Sequence, residues 1–354
     1  MTRSRVLPRA GILIGALVAA LAGAVVLPAP ATATATAQVT DLGVLPGGSY
    51  SFAYAMNSSG TVVGQSSVGL GNHAARWNPD GTVDDLGVLP TGVDSTANAV
   101  NDAGVVAGRG SMRDAAHDFH THAVRWNLDG TIDDLGTLPG DVASEARGIN
   151  SAGVIVGYSQ QPDGVRHAVR WNLDGTVDNL GTLPGLSSSQ ANTINDAGTI
   201  AGYSYGCCPG TRAVRWAPDG TISALGIGSA PSTSIATALN DNGEVAGYET
   251  TDTSRVARWD GTGAITLLNP LPGDATSWAS DISASGVMVG KSFTSGDAGH
   301  AARWDADGTV SRLAPLVDGE DATANAVNDN GQAAGYATTA DGWTHAVRWS
   351  TGVG

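Results

Sequence analysis

An Arg-Trp pair occurs seven times, at Arg76-Trp77, Arg125-Trp126, Arg170-Trp171, Arg215-Trp216, Arg258-Trp259, Arg303-Trp304 and Arg348-Trp349, with spacings of 49, 45, 45, 43, 45 and 45 residues. A period of this length marks a repeat architecture, in which each copy buries its apolar face only against its neighbours. One pattern surrounds every pair: DLGxLPG, xAxxIN, DxGxxxGY, a variable stretch, HAVRW, then NxDGTxDDLG. The step from Gly43 and its counterparts to Asn57 and its counterparts is always 14 residues, and the next step to Gly64 is always 7. All variation falls between Gly64 and Arg76 and their counterparts, which lie 12, 17, 13, 13, 11, 13 and 13 residues apart.

Each copy reads as four short strands. AYAMN and TVVGQ are joined by the turn Asn57–Gly60, and HAARW and TVDDLG by the turn Asn78–Gly81. Glycine supplies the positive φ of such hairpins, and β-branched and aromatic residues between the turns favour strands. No stretch after Ala37 sustains a 3.6-residue period, so helices are not expected. The expected fold is all-β: a seven-bladed β-propeller of four-stranded blades, in residues 38–354. The first strand, VTDLG at Val39–Gly43, has the character of a fourth strand, and the last, HAVRW at His345–Trp349, that of a third. The N-terminal strand is therefore expected to complete the last blade and to leave no free sheet edge.

Residues 1–37 carry Arg3, Arg5 and Arg9, an apolar run from Ala10 to Leu27, and PAPATATATA before Gln38. This is the layout of a secretory signal peptide cut after Ala37, with a retained N-terminal anchor as the competing reading. After cleavage the charge is 15 − 33 = −18, since all the acids and all but three of the bases follow Ala37. Such a charge disfavours nucleic acid and anionic membrane surfaces as partners. A secreted monomer facing an extracellular protein or polysaccharide is expected.

The repeated residues have structural readings. The tryptophans are expected to pack between blades, and the arginines to stack on them or to pair with Asp84, Asp85, Asp133 and Asp134. His73, His122, His167, His300 and His345 share one position and are expected to make structural hydrogen bonds. Function is sought where the copies differ, on the face carrying the variable links and the crossovers between blades. Phe52 and Trp278 lie in crossovers, Phe293 and Trp343 in variable links, and all come from units that adjoin around a closed ring. The channel rim reads Phe52, Thr96, Glu145, Gln190, Ile235, Trp278, Thr323, so Glu145 is its one carboxylate. Phe52, Trp278, Phe293, Trp343 and Glu145 are the candidate ligand-binding residues. The 17-residue link contains His117, His120 and His122, a candidate zinc set, and Cys207 and Cys208 form a candidate vicinal disulfide. No G-x-S-x-G elbow, P-loop or H-E-x-x-H occurs.

DLGTLPG (Asp134–Gly140), RGIN with SAGVIVGYS (Arg147–Ser159) and HAVRW resemble the HAF family of extracellular repeat proteins. Family repeats carry His-Ala-Phe, a hydrophobic residue and Trp; here Val or Ala stands for the Phe and Arg precedes the Trp. The resemblance covers essentially all of the chain after Ala37 and implies a secreted propeller-like protein without a defined activity. The expected function is non-enzymatic binding of a protein or glycan on the variable face. The alternatives are a secreted polysaccharide lyase or glycoside hydrolase using rim carboxylates, and a structural protein of the cell envelope.

Overall fold

The computed structural model describes residues 38–350, apart from 114–117, 207–209, 229–231 and 295–298. Residues 1–37, where a leader is expected, and His117, Cys207 and Cys208 lie outside the described residues.

Twenty-eight strands, β1 to β28 in chain order, form seven four-stranded antiparallel sheets. Blade one runs from the axis outwards through β2 (Ser51–Met56), β3 (Val62–Val68), β4 (Gly71–Trp77) and β5 (Val83–Gly87). Blade seven runs through β26 (Ala322–Val327), β27 (Ala333–Thr338) and β28 (Thr344–Ser350) to β1 (Gln38–Gly43). The N-terminal strand thus closes the ring, as its sequence predicts. The register from Gln38↔Ser350 to Gly43↔Ala346 is tied by His345 Nδ1, 2.8 Å from Asp41. Among the described residues no helix is long and apolar enough to cross a membrane.

The turns explain the constant spacings. In blade one Gly60 N donates to Asn57 O at 3.0 Å, and Gly60 holds φ 84°. The Asn57 carboxamide accepts Thr61 N at 3.0 Å, so turn and side chain close together.

The core lies between blades. Each repeat tryptophan is at most 4% exposed and packs with the preceding blade; Trp216, for example, clusters with Val156, Ala168 and Leu180. Trp216 Nε1 donates to Leu180 O at 2.8 Å across that seam. Truncating a tryptophan so placed costs about 3–5 kcal/mol, which makes each seam a substantial share of the stability. Two further columns stitch the seams, one of serine and one of asparagine. Ser51, Ser95, Ser144, Ser189, Ser234 and Ser277 each accept a backbone N–H from the third strand of the preceding blade, at 2.8 to 3.3 Å. Asn57, Asn101, Asn150, Asn195, Asn240 and Asn328 each donate to the backbone carbonyl at the same position in the next blade, at 3.0 to 3.3 Å. The seam from blade six to blade seven has neither link, because Ser283 stands in the asparagine column and Ala322 in the serine column.

The ion pairs refine the reading of the arginines. Arg76 pairs with Asp84 at 2.8 Å and Arg125 with Asp133 at 2.7 Å. Asp85 and Asp134 instead hold His73 and His122, at 2.8 and 2.9 Å. Successive strand residues point to opposite faces, so adjacent aspartates cannot serve one arginine. Hydrogen bonds from Asn78 and Arg76 hold Asp84 below the usual carboxylate range, and Asn127 and Arg125 do the same for Asp133.

Candidate functional site

A bulge in the innermost strand of every blade sets the geometry of the axial channel. In blade one Ala53 pairs with Gly64 and Ala55 with Val63, which leaves Tyr54 unpaired. The same register shift recurs in the other six blades at Asn98, Arg147, Asn192, Thr237, Ser280 and Asn325. A bulged residue is freed from the strand ladder and can be re-aimed. All seven of these side chains line one cavity of about 580 Å³ at the channel mouth, together with Thr96, Arg109, Glu145, Tyr248 and Trp278. Small-molecule sites typically span about 300–1,000 Å³.

Four of the bulged side chains serve the ring itself. Asn98, Asn192, Thr237 and Asn325 donate to the carbonyls of Ala146, Ala236, Ala279 and Ala53 in the following blades, at 2.7 to 2.9 Å. Arg147 is different: its guanidinium lies 3.2 Å from Glu145 Oε1. Arg109 approaches Glu145 Oε2 from blade two at 3.8 Å, and Tyr158 donates to the same oxygen at 3.0 Å. Burial, then the neighbouring Glu145, raises the Tyr158 hydroxyl to about 12, so it remains a proton donor. Glu145 is buried while both arginines are well exposed, so two cations face the cavity over one sequestered carboxyl group.

The opposite mouth is acidic. Asp102, Asp196, Asp241 and Asp329 accept backbone N–H groups of Ser58, Ser151, Asp196 and Ala284 at 2.7 to 2.9 Å, and all four line the mouth on the tight-turn side. The channel therefore carries arginine at one end and aspartate at the other, a polarity that steers an anion to the arginine end.

The expected binding residues divide into separate groups. Glu145 and Trp278 line the cavity. Trp278 meets the Phe293 ring at 4.3 Å, with Lys291 Nζ 5.0 Å from the Phe293 centroid. Phe52 packs with Tyr50, Tyr54 and Tyr336, at 5.9, 6.4 and 5.0 Å between centroids. Trp343 sits half exposed on the turn before β28, and no ring contact joins it to either group among the described residues. Of the proposed zinc ligands, His122 is held by Asp134 and His120 is the second residue of the same strand. Among the described residues no group of three or more metal-ligating side chains comes together. Arg109, Arg147 and the bulged column escaped the sequence reading. The signal for the column is the residue directly after the repeated alanine, two positions beyond the rim residue; Arg109 lies outside it, on the second strand of blade two opposite Thr96.

Deeper in the channel Asp281 occupies the column that otherwise holds Ala, Gly or Thr. It accepts Val327 N and Ile282 N, both at 2.8 Å. Burial, opposed by these bonds and aided by Asp329, raises its carboxyl to about 6. A carboxyl raised on folding contributes stability that is complete below the unfolded value of about 3.9 and is lost as pH rises through about 6. The unfolding free energy from urea titration is thus expected to increase as pH falls from about 7 to about 4.5, by on the order of 2 kcal/mol relative to Asp281→Asn. Parallel profiles for wild type and variant would count against this assignment.

No protein-family model matches the chain, and no curated protein sequence does. Among solved structures, a streptogramin B lyase aligns over 90% of this chain and 99% of its own, with a TM-score of 0.57 and 13% identity. Virginiamycin B lyase from Staphylococcus aureus aligns over 89% and 99%, with a TM-score of 0.57 and 14% identity. Oligogalacturonate lyase from Vibrio parahaemolyticus aligns over 89% and 93%, with a TM-score of 0.57 and 9% identity. At these identities the likeness is one of fold: the chain is a seven-bladed β-propeller.

Proposed function

We propose that this propeller is a secreted binding protein that takes an acidic glycan at the arginine-bearing mouth of its channel. The observation that carries the reading is the pair Arg109 and Arg147 exposed over buried Glu145, in a cavity whose wall also holds Trp278 and a row of amides and hydroxyls. Guanidinium groups match carboxylates bidentately, amides and hydroxyls match sugar hydroxyls, and an indole face matches the apolar face of a pyranose ring. The resemblance of the repeats to HAF proteins and the signal-like leader support an extracellular setting.

The lyase or hydrolase alternative would use the same cavity, with Glu145 and Tyr158 as the groups closest to a proton-transfer pair. Hydrolysis with two carboxyl groups needs them about 5–10 Å apart, and Glu145 is the single carboxyl in the wall of this upper cavity. Binding without turnover is therefore the leading reading, and new reducing ends on incubation with an acidic glycan would reverse that order.

Calorimetric titration with glucuronic acid and with glucose tests the binding. The acid is expected to bind and the neutral sugar to bind at least tenfold more weakly. Arg147→Met is expected to lower affinity for the acid about 10- to 100-fold, the usual worth of a hydrogen bond to a charged group. Equal binding of both sugars, or an unchanged Arg147→Met protein, would defeat the reading.

A further inference from the structure

The channel mouth has an annex. A second cavity of about 340 Å³ opens between blades one and two, and Thr96 and Arg109 line both spaces. Its other walls are Gln65, Asn72, Asp94, Ser95, Ser111 and Thr121. Asn72 and Thr121 lie near the starts of the third strands of blades one and two, outside the innermost strands, so the annex runs outwards from the rim rather than down the channel.

The chemistry of the annex differs from that of the mouth. The Asp94 carboxylate accepts Asn72 N at 2.8 Å, and Thr96 donates to the Gln65 carboxamide at 2.9 Å. Asn72 Oδ1 is buried with no hydrogen-bond partner. Away from the shared Arg109 the annex contributes amides, hydroxyls and one carboxylate. A second acidic sugar would meet Asp94 there, whereas a neutral sugar would meet acceptors for its hydroxyl groups.

We propose that the annex is a second subsite and that the ligand is an acidic–neutral disaccharide unit: the uronic acid lies at Arg109 and Arg147, and the neutral sugar lies between blades one and two. This rests on the binding reading above and adds to it the length and composition of the ligand.

Titrations of the full chain with glucuronic acid, with an aldobiouronic acid (glucuronic acid joined to a neutral sugar) and with a di-uronide separate the two ideas. The aldobiouronic acid is expected to bind at least about tenfold more tightly than the monosaccharide, and the di-uronide no better than the monosaccharide. Thr121→Trp, which fills the annex, is expected to abolish the gain and leave glucuronic acid binding unchanged. Asn72→Ala, a smaller change that removes one amide side chain from the annex wall, is expected to reduce the gain about threefold or more. A wild-type protein that binds monosaccharide and aldobiouronic acid alike overturns the subsite, as does a gain that survives both variants; in either case the binding reading stands. A di-uronide as tight as the aldobiouronic acid overturns the neutral assignment. Failure of every uronate to bind overturns the binding reading and the subsite together.

Discussion

Gly157→Ala is expected to destabilise the protein by on the order of 3 kcal/mol and to disturb the channel mouth at the same time. A Cβ at this position would lie 1.9 Å from the Glu145 carbonyl oxygen and 3.0 Å from Ala146 Cα. Both are backbone atoms of the innermost strand, so no side chain can swing aside to relieve the clash. The same contact recurs in all seven blades, where a Cβ on Gly64, Gly108, Gly202, Gly247, Gly290 or Gly335 would meet the corresponding carbonyl at 1.9 to 2.0 Å. The glycine pairs with the residue just before the bulge, so its bare backbone lets the two inner strands close together where the register shifts. Forcing them apart in blade three displaces Arg147. Urea unfolding should show a lowered midpoint, and glucuronic acid should bind more weakly to the fraction that stays folded. An unaltered midpoint would mean that the close approach imposes no constraint.

Removing Gln38–Gly43 is expected to cost on the order of 3–5 kcal/mol and to cause self-association. The deletion strips β28 of its ladder from Gln38↔Ser350 to Gly43↔Ala346 and takes Asp41 from His345. It also removes Val39 from the apolar cluster around Trp349 and Leu42 from the cluster around Trp77, one on each side of the closing blade. What remains is an unpaired edge strand carrying Val347 and Trp349. Light scattering over a concentration series should report larger species than the intact chain gives. Equal particle sizes and equal melting would show that β1 is dispensable to closure.

Much of this fold was legible because the repeat makes seven independent statements of one pattern. Turn glycines, strand lengths, the count of blades and the closing role of VTDLG all follow from spacing. The site was legible only in part. Glu145 and Trp278 stood out as exceptions in the rim column, and both line the cavity. Arg147 did not, because a bulge is a register event between two strands and leaves no mark in the period of either; Arg109 did not, because it belongs to the second strand of blade two, opposite Thr96, and not to the rim column. The serine column was visible in principle, two residues before the repeated alanine. Its meaning depends on a neighbour about 21 positions earlier in the chain, the third strand of the preceding blade. The aromatic residues show the opposite limit: Phe52, Trp278 and Trp343 come from adjoining units, yet they lie in separate surroundings, since adjacency of blades does not fix where a side chain turns.

The amide stitches all run in one rotational sense, each blade giving a proton to the next, and the circuit is interrupted once, between blades six and seven. There the burden passes to Asp281 on Val327 N and the Lys291–Asp321 pair at 2.8 Å, beside Asp329 on Ala284 N, a contact of a kind that other seams also have. The protein is therefore a ring with a clasp, and the clasp is not where the chain ends meet. The ends are joined by a full strand ladder at blade seven, whereas the clasp rests on a few side-chain contacts, of which the Lys291–Asp321 ion pair is the one that salt can loosen. Joining the termini and cutting the chain at the blade six–seven crossover should give the circular permutant that disturbs the ring least.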